Sequence, residues 1–151
     1  MDLKTKLAED LQSSMKQREA VKVSTLRLLI SAIRNKEIEK KKSFADGDVL
    51  EVIQAEAKSR KESIEQYTQA NRKDLADKEA AELQVLVAYL PEPMSAEQLR
   101  DLVQSTLLEV GAKGPQDMGR IMSVLMPKIK GRADGKQAQQ VIQQILSAAK
   151  A

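Results

Sequence analysis

The chain has 151 residues, 42% hydrophobic and 31% charged, with a net charge of +3 and no histidine or cysteine. That composition describes a globular chain and excludes disulfides, thiol chemistry, zinc–thiolate sites and the commonest general base. No long apolar run is present, so no membrane span is expected. The first residues lack an apolar leader, so the expected compartment is the cytoplasm.

Asp2 is placed to cap a first helix carrying Leu3, Leu7, Leu11 and Met15 at steps of four. A second helix is predicted from about Glu19 to Lys42, with Val23, Leu26, Ile30 and Ile33 facing the core. Its closing Lys40-Lys41-Lys42 suits the negative end of the helix dipole, or else a nucleic-acid patch. Phe44 to Gly47 reads as a turn. Asp48 and Glu51 then open a third helix bearing Val52, Ile53, Ala57, Arg60, Ile64 and Tyr67. Asn71 suits a left-handed C-terminal position. A fourth helix runs from about Arg72 to Tyr89, with Leu75, Glu79, Leu83, Leu86 and Leu90 in register.

Leu90-Pro91-Glu92-Pro93 is the clearest break, because two prolines stop a helix and extend the backbone. The expected domains are 1–91 and 94–151, with proteolytic nicking near Pro91–Ser95. Ser95 and Gln98 have capping-box spacing for a fifth helix with Leu99, Leu102, Val103, Thr106, Leu107 and Val110 inward, closed by Gly111. Gly111 to Pro115 reads as a loop. No segment alternates with the period of a strand. The expected fold class is all-α: an N-terminal four-helix domain followed by a small C-terminal three-helix bundle.

Met118 to Ile129 fits a sixth helix. Met118, Ile121, Met122, Leu125, Met126 and Ile129 form the buried face, and Gly119, Ser123 and Pro127 form a smooth strip opposite. Pro127 predicts a kink or an early end. Gly131 suits the helix C-terminus. Asp134 suits the N-cap of a last helix, with Gln137 completing a capping box. That helix buries Ala138, Val141, Ile142, Ile145, Leu146 and Ala149. Its outer face carries Gln137, Gln139, Gln140, Gln143 and Gln144. The smooth strip admits two readings, close packing of a neighbouring helix or close approach of a nucleic-acid backbone. Arg120, Lys128, Lys130, Arg132 and Lys136 surround it, and from Met118 to the end the sole acid is Asp134. In the second reading those five side chains contact phosphates, Gly119, Ser123, Pro127 and Gly131 allow the backbone close, and Asp134 is a structural cap. A Walker-type loop is rejected: Gly131 and Gly135 are one residue too close, Gln137 replaces Ser/Thr and no strand precedes. With aromatics at 2%, base stacking is not expected as the main binding mode.

Three stretches resemble the motifs of the GatB/YqeY family. They are Leu26-Arg27-Leu28-Leu29 with Ala32-Ile33 and Glu37-Ile38; Glu79, Glu82-Leu83 and Tyr89-Leu90-Pro91; and Asp117-Met118-Gly119 through Met122, Leu125-Met126-Pro127 and Gly131-Arg132-Ala133-Asp134-Gly135-Lys136. Asn71 departs from the glycine expected in many members, and both residues tolerate the left-handed conformation. The resemblance covers nearly the whole chain. It implies an all-helical stand-alone relative of the tail domain of the Asp/Glu-tRNA amidotransferase B subunit, whose similar domain contacts the elbow and D-loop side of tRNA. It also implies tRNA as partner, with aminoacyl-tRNA synthetase or amidotransferase components as further candidates, and no cofactor or metal.

Three functions compete. The first is a non-catalytic tRNA-binding accessory module. The second is a contribution to carbon–nitrogen ligase activity with glutamine as amido-N-donor, the label attached to the family's complexes. An amidase needs an activated nucleophile, and here only Ser13-Ser14 beside Lys16 is available, with no glycine-rich loop for an oxyanion site. The third is a helical protein-interaction module, in which the Glu79/Glu82 and Arg27/Arg34 pairs form inter-helix salt bridges or partner contacts.

Overall fold

A computed structural model describes residues 1–149, and among them are seven α-helices, one short 3-10 turn and no strand. The helices are α1 (Leu3–Lys16), α2 (Ala20–Lys40), α3 (Asp46–Gln69), α4 (Lys73–Val87), α5 (Ala96–Val110), α6 (Met118–Ile129) and α7 (Gly135–Ala149). The all-α expectation holds. The chain divides into two units, Met1–Leu90 and Pro91–Ala151, each with its own core.

In the first unit Asp2 caps α1, its Oδ1 accepting from Thr5 N–H at 2.8 Å. Steps of four drift around a helix of 3.6 residues per turn, so the predicted α1 stripe is half right. Leu7 is fully buried and Leu3 and Leu11 are half-buried, while Met15 has rotated out into solvent and Ser14 is buried instead. On α2 the inward face is Thr25, Leu26, Leu29 and Ile33; the sequence reading missed Leu29, and Val23 and Ile30 lie only at the margin. These residues close on Phe44, Val49, Ile53, Ala57 and Leu86. Each fully buried leucine here contributes about 1.5–3 kcal/mol from burial.

Helix α3 begins at Asp46, so Gly47 lies in its first turn and outside the turn expected for it. The Asp48 carboxylate accepts from Ala45 N–H at 3.1 Å, and the Asp46 carboxylate accepts from Leu3 N–H at 2.9 Å. Glu37 joins three segments. Its Oε2 accepts from Phe44 N–H at 2.7 Å and from Lys4 Nζ at 2.9 Å, and Lys4 also donates to Ser43 Oγ. Asn71 is left-handed, φ 58°, as expected; Arg18 and Lys41 share that conformation without glycine's freedom. Tyr89 Oη donates to Asp10 Oδ2 at 2.6 Å, fastening the end of this unit to its first helix.

In the second unit the Ser95 capping box forms in both directions: Ser95 Oγ accepts from Gln98 N–H and Gln98 Oε1 from Ser95 N–H. Gly111 closes α5 in the left-handed region, φ 63°. The core is built from Leu99 and Val103 of α5, Ile121, Leu125 and Ile129 of α6, and Ala138, Ile142 and Leu146 of α7. Pro127 does not end α6, which runs two residues further, to Ile129. The Ala149 side chain and Lys150 lie outside the described residues.

Candidate nucleic-acid interface

Helix α6 turns its apolar face inward. Ile121, Leu125 and Ile129 are fully buried, and Met118, Met122 and Met126 are half-buried around them. Gly119, Ser123 and Pro127 are therefore exposed on the far side. A Cβ built at Gly119 meets no atom within 4 Å. Among the described residues, then, nothing packs on the strip at Gly119. Gly135 is different: a Cβ there would stand 3.3 Å from Met126 Sδ, so its bareness serves the approach of α7 to α6.

The five basic side chains are held in different ways. Arg120 Nη2 lies 3.3 Å from Asp117 Oδ1, one helical turn back. The Asp117 carboxyl is held below its ordinary value, first by the hydrogen bond from Lys113 N–H and also by the Arg120 charge. Lys128 Nζ lies 2.7 Å from Glu109 Oε2 of α5. The Lys128–Glu109 pair is exposed, and in the other pair Arg120 is exposed while Asp117 is half-buried, so each pair contributes little and its cation can swing to another anion. Lys130 is half-buried and Lys136 is exposed.

Two of the expected residues also carry structural duties. Arg132 Nε donates to the Glu92 carbonyl at 2.9 Å, and Met94 N–H donates to the Arg132 carbonyl at 3.1 Å. Arg132 therefore fastens the Glu92–Met94 segment to the α6–α7 turn, and its first role is structural. Gly131, expected to let a backbone approach, is buried with φ 78°; its glycine serves the left-handed turn. At Asp134, Oδ1 accepts from Lys136 N–H at 3.2 Å, at the start of α7. The α7 glutamines at 137, 139, 140, 143 and 144 are all exposed.

Sequence reasoning missed two carboxylates that answer these cations. Asp117 was findable, because it precedes Arg120 by three residues, a helical neighbour spacing. Glu109 carried no such signal, since its partner is 19 residues away on another helix.

Elsewhere, Ser14 is buried and its Oγ donates to the Asp10 carbonyl at 2.6 Å, so it is not a reachable nucleophile. Glu82 pairs across α3–α4 with the buried Arg60 at 3.3 Å, and Arg60 also holds Glu56 at 2.9 Å. Arg27 and Arg34 take no part in that bridge; both are exposed on α2, and Arg27 Nη2 touches Met15 Sδ at 3.8 Å. No helix among the described residues is long and apolar enough to cross a membrane.

The family model described as Yqey-like protein matches residues 4–146. The chain is similar to Altered inheritance of mitochondria protein 41, mitochondrial, of Pyrenophora tritici-repentis: 32% identical over 145 residues, 95% of this chain and 80% of the relative. Relatives of the same name in Vanderwaltozyma polyspora and Saccharomyces cerevisiae are 39% and 32% identical over 85 and 93 residues, 56% and 60% of this chain. The aligned stretches span 46% and 50% of those two relatives. All three names carry the word mitochondrial, and this overturns the cytoplasmic expectation. That expectation rested on reading the first residues for a leader.

Proposed function

The chain belongs to the YqeY-like protein family, and from that premise we propose that it is a non-catalytic tRNA-binding accessory module, working through the α6 face of its second unit. The reading rests most on Gly119. An exposed glycine with open space above it, in line with Ser123 and Pro127, leaves room for a rigid partner to come close. Arg120, Lys128, Lys130 and Lys136 stand around that opening, and Asp134 is the only carboxylate from Met118 to Ala149. Structured RNA is read through phosphates, 2′-hydroxyls and shape, which such a surface matches. We further propose that the two units are separable domains, 1–91 and 94–151. Because Arg132 holds the Glu92 carbonyl, the first proteolytic cut should fall on the Leu90 side of that bond.

The test is salt-dependent binding of purified tRNA, with mitochondrial tRNAs tried first because of the relatives' names. If the four remaining cations neutralise about four phosphates, affinity falls roughly a hundredfold between about 50 and 200 mM salt. Lys136→Ala should weaken binding to all tRNAs alike and flatten the salt slope by about one unit. A salt-independent affinity, or one indifferent to Lys136, removes this face as an RNA site.

A further inference from the structure

The solvent face of α2 carries residues that the fold does not use. Leu26, Leu29 and Ile33 are accounted for by the core, and Glu37 by its bonds to Lys4 and Phe44. The outward face is Val21, Ser24, Arg27, Leu28, Ser31, Arg34, Asn35 and Ile38, all exposed. Three of these are large aliphatics left 45%, 57% and 68% exposed, at Val21, Leu28 and Ile38, and Met15 of α1 beside Arg27 adds 48%. From Ala20 to Lys36 the helix carries Lys22, Arg27, Arg34 and Lys36 and no carboxylate. The next acids, Glu37 and Glu39, are paired with Lys4 and Lys36. An open cleft of about 190 Å³ runs along the Arg34 side between α1 and α2, floored by Leu7, Ala8, Ile30 and Ile33.

We propose that this α1–α2 face is a docking surface for an acidic amphipathic helix of a partner protein. Aliphatics along a helix, small serines between them and a cleft alongside are what a helix laid on a groove uses. The charge fixes the partner's sign. Arg27 and Arg34 are seven residues apart, so they share one side of α2 with about 10 Å between them along the axis. A partner helix meets both with carboxylates one heptad apart, and seats an aliphatic side chain in the cleft. A second copy of the chain fits worse: an antiparallel α2 pair centred between Ile30 and Ser31 brings Arg34 of one copy beside Arg27 of the other. A nucleic-acid backbone would meet the two arginines but leave Val21, Leu28 and Ile38 against phosphates. The inference is independent of the tRNA reading, which concerns the second unit.

The experiment selects a display library of helical peptides, with Glu, Lys, Gln, Leu and Ala varied at each position, against the full-length chain. Recovered helices should carry aliphatics on one face and carboxylates seven residues apart. Their binding should weaken with salt, fall about tenfold or more in the double variant Arg27→Glu/Arg34→Glu, and fall likewise in Leu28→Ser. All three positions are exposed, so circular dichroism should report an unchanged fold. Selection against the Arg27→Glu/Arg34→Glu chain should recover lysine-bearing helices instead, a charge swap that general misfolding cannot produce. Recovery of no helices, or of basic or uncharged ones from the wild type, overturns the proposal. So does binding indifferent to the two arginines, self-association abolished by Leu28→Asp, or protection of this face by tRNA.

Discussion

Gly119 separates the two explanations of the smooth strip on α6, because they predict opposite responses to added bulk. If the strip packs against another part of the chain, a methyl group there clashes and stability falls. The structure has no atom within 4 Å of that methyl. Gly119→Ala should then gain the usual helix advantage of alanine over glycine, about 0.5 kcal/mol, at the low end because Gly119 lies in the first turn. For a unit of this size that is roughly 2–4 °C in melting temperature. Gly119→Leu adds a side chain that projects into the approach path. It should hold a phosphate beyond hydrogen-bonding reach of Arg120 and weaken tRNA binding about tenfold, or about 1.4 kcal/mol. Thermal unfolding by circular dichroism and anisotropy of labelled tRNA at fixed ionic strength read the two effects separately. A lower melting temperature for Gly119→Ala, or tRNA affinity unchanged in Gly119→Leu, refutes the reasoning.

Three further outcomes follow from the first unit. Thr25 is fully buried and its Oγ1 has no hydrogen-bond partner among the described residues, so Thr25→Val should raise stability by about 1 kcal/mol in urea titration. Glu82→Ala strips one carboxylate from Arg60, whose side chain is only 10% exposed, and should cost about 2–3 kcal/mol; a loss below about 0.5 kcal/mol would mean that Glu56 alone satisfies the guanidinium. Glu37 has its acidity strengthened below its ordinary value of 4.5, first by the hydrogen bond from Lys4 and then by that from Phe44 N–H. A depressed folded value means that its contribution is complete above about pH 4.5 and is lost as pH falls through the lower folded value. Glu37→Gln should remove that part of the acid sensitivity in pH-dependent melts, and an unchanged acid limb would show that the carboxylate is not linked to folding.

What the sequence made legible was local. The Ser95/Gln98 cap, the left-handed Asn71, Gly111 and Gly131, and the inward face of α6 each depend on residues within a turn or two of one another. Errors entered where a pattern was carried too far or a partner lay far away. Steps of four run 40° ahead of the helix at each repeat, so a stripe right at Leu7 is wrong at Met15. Leu29 was passed over because Ile30 beside it is equally apolar, and only the placement of α3 and α4 decides which one faces in. Arg132 carries the same positive charge as its basic neighbours, and nothing in its surroundings announces a carbonyl 40 residues away. The compartment was misread because it was read from the first residues alone, and the relatives' names point elsewhere.

The hydrogen bond between Tyr89 and Asp10 spans 79 residues and sets an order of events during synthesis. Helices α3 and α4 are neighbours in sequence and can zip together as soon as both have emerged from the ribosome. Helix α1 likewise meets α2, its own neighbour in sequence, as soon as that helix emerges. The bond from Tyr89 to Asp10 comes last, once the final turn of the unit is out. The first unit is therefore latched only when translation has passed Tyr89, and a chain stalled before that point carries Asp10 without its phenol partner.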